Sequence, residues 1–153
     1  MRTQRCRGEA GQVGGIEALP FGLLVFVVGS LLIANAWAVV DAKFATDAAA
    51  RQAVRTFVEG ADEDVARADA IAAGLEAIEG HGRDPARASV APVGTASLAR
   101  CERVTFEAEY EIPAVSLPFI GGYGRAPFEV RSAHSELVDP FRSGVPGTAE
   151  ACP

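Results

Sequence analysis

Histidine is almost missing from this chain of 153 residues: His81 and His134 are the only two. Both are solitary, one at an expected helix end and one in an expected strand, so no metal-ligand grouping is present in the sequence. Positive charge is also short. There are 14 Lys+Arg against 20 Asp+Glu, a formal net charge of -6, and Lys43 is the single lysine. A chain with pI ≈ 4.9 lacks the basic footprint that phosphates require, which excludes nucleic acid as a partner. Gly121-Gly122-Tyr123-Gly124 lacks the lysine and helix start of a phosphate loop, and no Ser-His-Asp arrangement can be assembled. Internal repeats and tandem low-complexity tracts are absent. The sequence therefore points to a non-enzymatic protein with no catalytic residue, no cofactor and no metal. A hydrophobic content of 49% equally excludes an acidic disordered tail.

The apolar residues are concentrated. Between Glu17 and Asp41 the chain runs 23 residues without a charge, ALPFGLLVFVVGSLLIANAWAVV, and 18 of them are apolar. As a helix this stretch reaches about 34 Å, enough for a bilayer core of about 30 Å. A remainder this small can hardly wrap a helix that is apolar on every side, so residues 18–40 are expected to cross a membrane. Trp37 suits the interfacial aromatic belt. With the span removed, the rest is about 44% hydrophobic, ordinary for a soluble domain.

A cleaved secretory signal is the rival reading. Arg2, Arg5 and Arg7 form a positive n-region, Phe21 to Ile33 an apolar h-region, and Ala34-Asn35-Ala36 or Ala36-Trp37-Ala38 an A-x-A site. Against it, the n-region is about twenty residues long with Glu9 and Glu17 inside it, and helical patterning continues through the cleavage point. The positive-inside count is a tie, three Lys/Arg before the span and three soon after it. The part after residue 40 holds 11 basic and 18 acidic residues. It also holds two cysteines able to pair outside the cell, and both features favour a cytoplasmic leader over 1–17 and an extracytoplasmic C-terminal part.

Residues 41–80 are expected to form two helices. The first, DAKFATDAAARQAVRTFVE, has no Gly or Pro and continues the span without a break, with Val40, Phe44, Val54, Phe57 and Val58 as apolar contacts. Gly60 punctuates it. The second runs from about Asp62 to Glu79 with a stripe of Val65, Ala68, Ala72, Leu75 and Ile78, and ends at Gly80-His81-Gly82. The period then changes. In RVTFEAEYEI, Val104, Phe106, Ala108, Tyr110 and Ile112 alternate with Arg103, Thr105, Glu107, Glu109 and Glu111, a strand with one face in water. Phe128 begins a second strand whose phase shifts near Ser132–Ala133. Ala133, Ser135 and Leu137 continue inward only across a bulge. Ala88 to Val93 is a third candidate. Pro113 to Pro127 reads as a long hairpin loop, and residues 140–153 as a flexible tail. The expected architecture is α+β, with a small antiparallel sheet of about three strands over residues 86–139 packed on the helices.

Cys101 and Cys152 either form a disulfide closing a loop of about fifty residues, or remain thiols with Cys152 in a mobile tail. Cys6 lies before the span. Within the span, Gly22, Gly29 and Ala36 fall seven apart, with Ser30 and Asn35 as polar neighbours. Small residues allow close helix approach and asparagine hydrogen-bonds across it, which favours packing against other membrane helices. Glu17 directly precedes the apolar run, where it either seeks a partner or stays at headgroup level near the helix start.

The Gly-rich leader GQVGGIEALP, the Glu before a long apolar helix and the segment Ala48-Ala49-Ala50-Arg51-Gln52-Ala53-Val54-Arg55 together resemble the TadE-like family. Its members are pseudopilin-like proteins of tight-adherence (Flp-type) pilus assembly. EYEIP, the apolar Gly/Pro loop and the returning strand also look like the family's exported sheet. The resemblance covers residues 8–60 well and 100–138 loosely. It implies a structural subunit that partners the lipid bilayer, other pilin-like subunits or secretion machinery, and a prepilin peptidase that cuts after a glycine. Glu17 matches the family's Glu, which meets a neighbouring subunit's N-terminal amine. The spacing departs by one: a fifth-position Glu17 puts Gln12 before the cut, whereas cleavage after Gly11 makes Glu17 sixth. The alternative from another class is a binding module, secreted or membrane-anchored and exported by a cleaved signal peptide.

Overall fold

The computed structural model describes residues 13–113, 115–117, 121–123, 128–148 and 152. One helix, α1 (Val13–Glu59, 47 residues), runs unbroken from the apolar span into the head. At 1.5 Å per residue it is about 70 Å long, more than twice the thickness of a hydrocarbon core. Its two halves have opposite surroundings. From Leu19 to Ile33 its large apolar side chains are 37–73% exposed. From Ala38 onward one stripe, Ala42, Ala45, Ala49, Ala53 and Phe57, is buried. The spacing of three and four residues is that of a single helix face.

Helix α2 (Glu63–Gly80) folds back along that stripe. Asp62 caps it, its carboxylate accepting from the amides of Asp64 and Val65 at 3.1 Å each. The buried face is Ala66, Ala70, Gly74 and Ile78, strictly four apart. This corrects the expected stripe: Val65, Ala68 and Ala72 are exposed, and only Ile78 of that set is fully buried. The reason is steric. A Cβ on Gly74 would lie 2.9 Å from Val90 Cγ1 and 3.3 Å from the Ala49 carbonyl, so α2 presents its smallest residues where backbones approach most closely. The same logic corrects the first helix. Val54 and Phe57 are buried as expected, but Val40 and Phe44 are 44% and 62% exposed, because alanines form the contact face at their level of the helix.

Strands β1 (Ala88–Pro92), β2 (Arg103–Ile112) and β5 (Phe128–Leu137) form an open antiparallel sheet in the order β1-β2-β5, completing the α+β architecture. Central β2 follows its alternation without error: Val104, Phe106, Ala108, Tyr110 and Ile112 are all buried against the helices. Phe106 meets Phe57 with ring centroids 5.5 Å apart. β5 pairs with β2 in continuous register from Ile112↔Phe128 to Arg103↔Leu137, so the expected bulge does not form. Ser132 is turned inward, while Ala133, Ser135 and Leu137 face out. A serine holds that inner position because α1 supplies its partners. The Thr46 and Ser132 hydroxyls are 2.8 Å apart, and Lys43 Nζ donates to Ser132 Oγ at 2.8 Å. The segment read as a loop carries a further two-stranded ladder, β3 (Val115–Leu117) with β4 (Gly121–Tyr123), and β3 lies against α1.

The described part of the expected flexible tail is docked. Val145 is buried. The Arg142 guanidinium donates to the carbonyls of Val58, Glu59 and Gly60. These carbonyls lie at the end of α1, where helix geometry leaves acceptors without partners and where a cation is favoured. Arg100 in turn donates to the Arg142 carbonyl at 2.8 Å and to that of Gly147. Cys101 and Cys152 are joined in a disulfide with Cα atoms 5.3 Å apart.

Candidate functional site

The region with the most unusual exposure is α1 where it leaves the head. Successive helical residues are turned by about 100°, so Ala38, Ala42 and Ala45 share the side covered by the head. Ile33, Trp37, Val40 and Phe44 share the opposite side, and their exposures are 72%, 69%, 44% and 62%. Beyond Phe44 that side becomes charged, with the ion pairs Arg51–Asp47 at 2.8 Å and Arg55–Glu59 at 3.1 Å. An apolar stripe thus continues about one turn past the uncharged span before giving way to a solvated face.

The small-residue group is divided by this geometry. Gly22, Gly29 and Ala36 lie on the side away from the head, and a Cβ added at either glycine would meet nothing within 4 Å. Asn35 is on the head's side. Its amide donates to the Leu31 carbonyl at 2.8 Å, an i−4 bond within the helix. It lines an open apolar groove of about 360 Å³ between α1 and the end of the sheet. Glu17 belongs to α1 through its backbone. Gly11 and Gln12, the residues at the leader cut, lie outside the described residues.

Two contacts that no local pattern announces lock the head onto α1 at this level. Arg83, just after α2, donates through Nε to Asp41 Oδ2 at 2.9 Å and through Nη2 to the Ala38 carbonyl at 3.0 Å. Its guanidinium also lies 5.6 Å from the Tyr110 ring centroid. Lys43 reaches β5 as described. Both pairings join residues more than forty positions apart, so periodicity gives no sign of them.

The outer face of the sheet carries the charges that the alternation placed there. Arg131 pairs with Glu109 and with Glu129, each at 3.0 Å. A hydrogen bond shared with Glu129 holds the Glu109 carboxyl above its ordinary range, with desolvation adding to the effect and Arg131 opposing it. Glu129 is lowered, first by its hydrogen bond from Arg131. This is a mutually compensated surface cluster. His81 caps the end of α2, and His134 lies opposite Phe106 in the ladder. Among the described residues no group of three His, Cys, Asp or Glu stands close enough to hold a metal ion.

Among the described residues one helix is long and apolar enough to cross a membrane, by length and composition. Comparison with protein-family models, with curated proteins and with solved structures finds no match to this chain.

Proposed function

We propose that this protein is a single-pass membrane protein and a structural, non-catalytic component of a pilus or secretion-system assembly, with its leader in the cytoplasm and its head outside. The observation that carries the reading is the continuity of α1: its N-terminal half is bare and apolar, and its C-terminal half is the central element of the head. A helix built in this way transmits the position of the membrane directly to the head, with no linker to absorb it. The apolar side away from the head, with Gly22, Gly29 and Ala36 below and Trp37, Val40 and Phe44 above, offers a face for neighbouring apolar helices. The pilin-like assignment itself rests on the resemblance of the leader, Glu17 and the Ala48–Arg55 segment to the TadE-like family.

The continuity of α1 also weighs against a released module. Cutting at the A-x-A sites would leave Trp37 or Val39 at the new terminus. That would place the cut beside Ala38 and Asp41, which Arg83 holds. N-terminal sequencing of the mature protein separates the readings. A start at Gln12 supports a processed pilin-like subunit, and retention of Met1 supports an unprocessed anchor. A start at Trp37 or Val39 defeats the membrane-subunit reading in favour of a secreted binding module.

Glu17 carries the second test. Glu17→Ala is expected to leave membrane insertion intact, because it removes a charge next to the span, yet to impair incorporation into the assembly. Pilus assembly at the unsubstituted level would remove the packing role given to Glu17.

A further inference from the structure

The end of the sheet nearest the span borders an open apolar groove. β2 runs in the direction opposite to α1, so the chain leaving Ile112 heads back toward the membrane. Ile112 and Phe128 face each other as the last pair of the β2–β5 ladder, and the strands beyond them, β3 and β4, carry the hairpin further with β3 against α1. The groove described above lies between this rim, formed by Ile112, Pro113 and Phe128, and the part of α1 from Val28 to Val39. That wall of α1 belongs to the uncharged span. If the bilayer reaches Val40, the groove lies within the final 18 Å or so of the membrane-crossing helix.

Three features of the rim match that depth. Phe128 is 66% exposed at the end of an otherwise well-packed sheet, an arrangement that costs free energy in water. From Pro113 to Pro127 the chain carries a single charge, Arg125. Asn35, the polar residue of the groove, donates one of its two amide hydrogens to the helix's own Leu31 carbonyl. A two-stranded ladder also leaves backbone groups unpaired along its outer edges. This keeps it from the centre of the hydrocarbon and holds it at the boundary between headgroups and acyl chains.

We propose that the head rests on the bilayer through this rim: Phe128 enters the leaflet on the head's side, backed by the buried Ile112 and Pro113, and acyl chains of that leaflet fill the groove beside α1. The occupant is lipid because one wall of the groove is the membrane helix itself, so any apolar space opening there faces lipid first. The inference rests on α1 crossing the membrane and is independent of pilus assembly.

The test uses the full chain reconstituted in phosphatidylcholine vesicles. Trp37 is the only tryptophan. Trp37→Phe combined with Phe128→Trp therefore reports the rim alone, at a position exposed enough to accept the larger ring. Lipids brominated near the ester end of the acyl chain are expected to roughly halve the emission at position 128. Lipids brominated near the methyl end should quench less, and aqueous iodide should have little effect. Strong iodide quenching without a bromine effect places the rim in water and overturns the proposal. Protection from both quenchers means that protein covers the rim, such as the helix of a second copy, and overturns it equally. Wild-type Trp37 measured alongside separates the causes. Lipid quenching at 37 without quenching at 128 defeats the resting head alone, whereas no lipid quenching at either position defeats the membrane span as well.

Discussion

Phe57→Ala is expected to cost the head about 3–5 kcal/mol of unfolding free energy, the range for removing a buried phenylalanine ring. Phe57 is fully buried in the last turns of α1, against Phe106 of the central strand. Two opposing effects decide the magnitude. Alanine is the better helix former by about 0.5 kcal/mol, which offsets only a small part of the loss. Collapse around the cavity is the larger possible relief, but the surroundings resist it. Apart from Val54, the core positions nearest in sequence on α1 and the first core positions of α2 are alanines (Ala50, Ala53, Ala66 and Ala70), which have no side chain to swing into the space, and the backbone behind them is pinned by the Arg142 bonds to Val58, Glu59 and Gly60. The upper part of the range is therefore expected. Domains of this size have total stabilities of about 5–15 kcal/mol, so the variant's head should be markedly less stable. Urea unfolding followed by far-ultraviolet circular dichroism, on the full chain in detergent, measures the loss. A decrease below about 1 kcal/mol would show that the Phe57–Phe106 contact is not central to the head.

Reduction of the Cys101–Cys152 bond is expected to lower stability by about 4 kcal/mol, the chain-entropy value for a closed loop of this length. The sequence separation of 51 makes the loop long, and much of it is the β2–β5 hairpin. The bond acts mainly on the unfolded chain, which loses the freedom to separate these two points. In the folded head it also ties residue 152 beside a segment that is independently held by Arg100, Arg142 and Val145. Cys101 itself sits at φ 62, a left-handed conformation that non-glycine residues adopt rarely. A paired Cys101→Ser and Cys152→Ser variant should reproduce the loss and show no further response to reductant. An unchanged melting transition of the wild-type protein, with both thiols shown by alkylation to be free, would sink the prediction.

Much of the fold was legible because its signals are local. The absence of charge from residues 18–40, the lack of any breaker up to Glu59 and the ten-residue alternation from Arg103 to Ile112 are properties of consecutive residues, and each survives in the structure. The helix faces were less legible. Reading Val65 and Phe44 as core residues applies the rule that the larger apolar side chain is buried. At a tight helix–helix contact the rule inverts, because Ala66, Ala70 and Gly74 bring backbones together and bulkier residues are displaced to the sides. Ser132 shows the same limitation in a strand. A serine reads as outward until its partners Lys43 and Thr46, some eighty-five positions earlier, are placed beneath it.

The candidate site divides along the same line. Periodicity alone put Gly22, Gly29 and Ala36 on one stripe, but Asn35 separated from them only when the sheet's end appeared on its side of α1. Phe128 as an exposed rim residue had no sequence signal beyond the low charge of the loop it follows.

By itself the sequence determined that this protein has one membrane-length helix, an acidic head and an alternating central strand, since hydropathy and period depend on neighbours along the chain. Tertiary structure alone decided which face of each helix is the core, that the segment around Arg142 is clasped against the end of α1, and that the apolar rim of the sheet stands beside the span. Those outcomes depend on close backbone approach and on hydrogen bonds between residues distant in sequence, and neither leaves a trace in a local window.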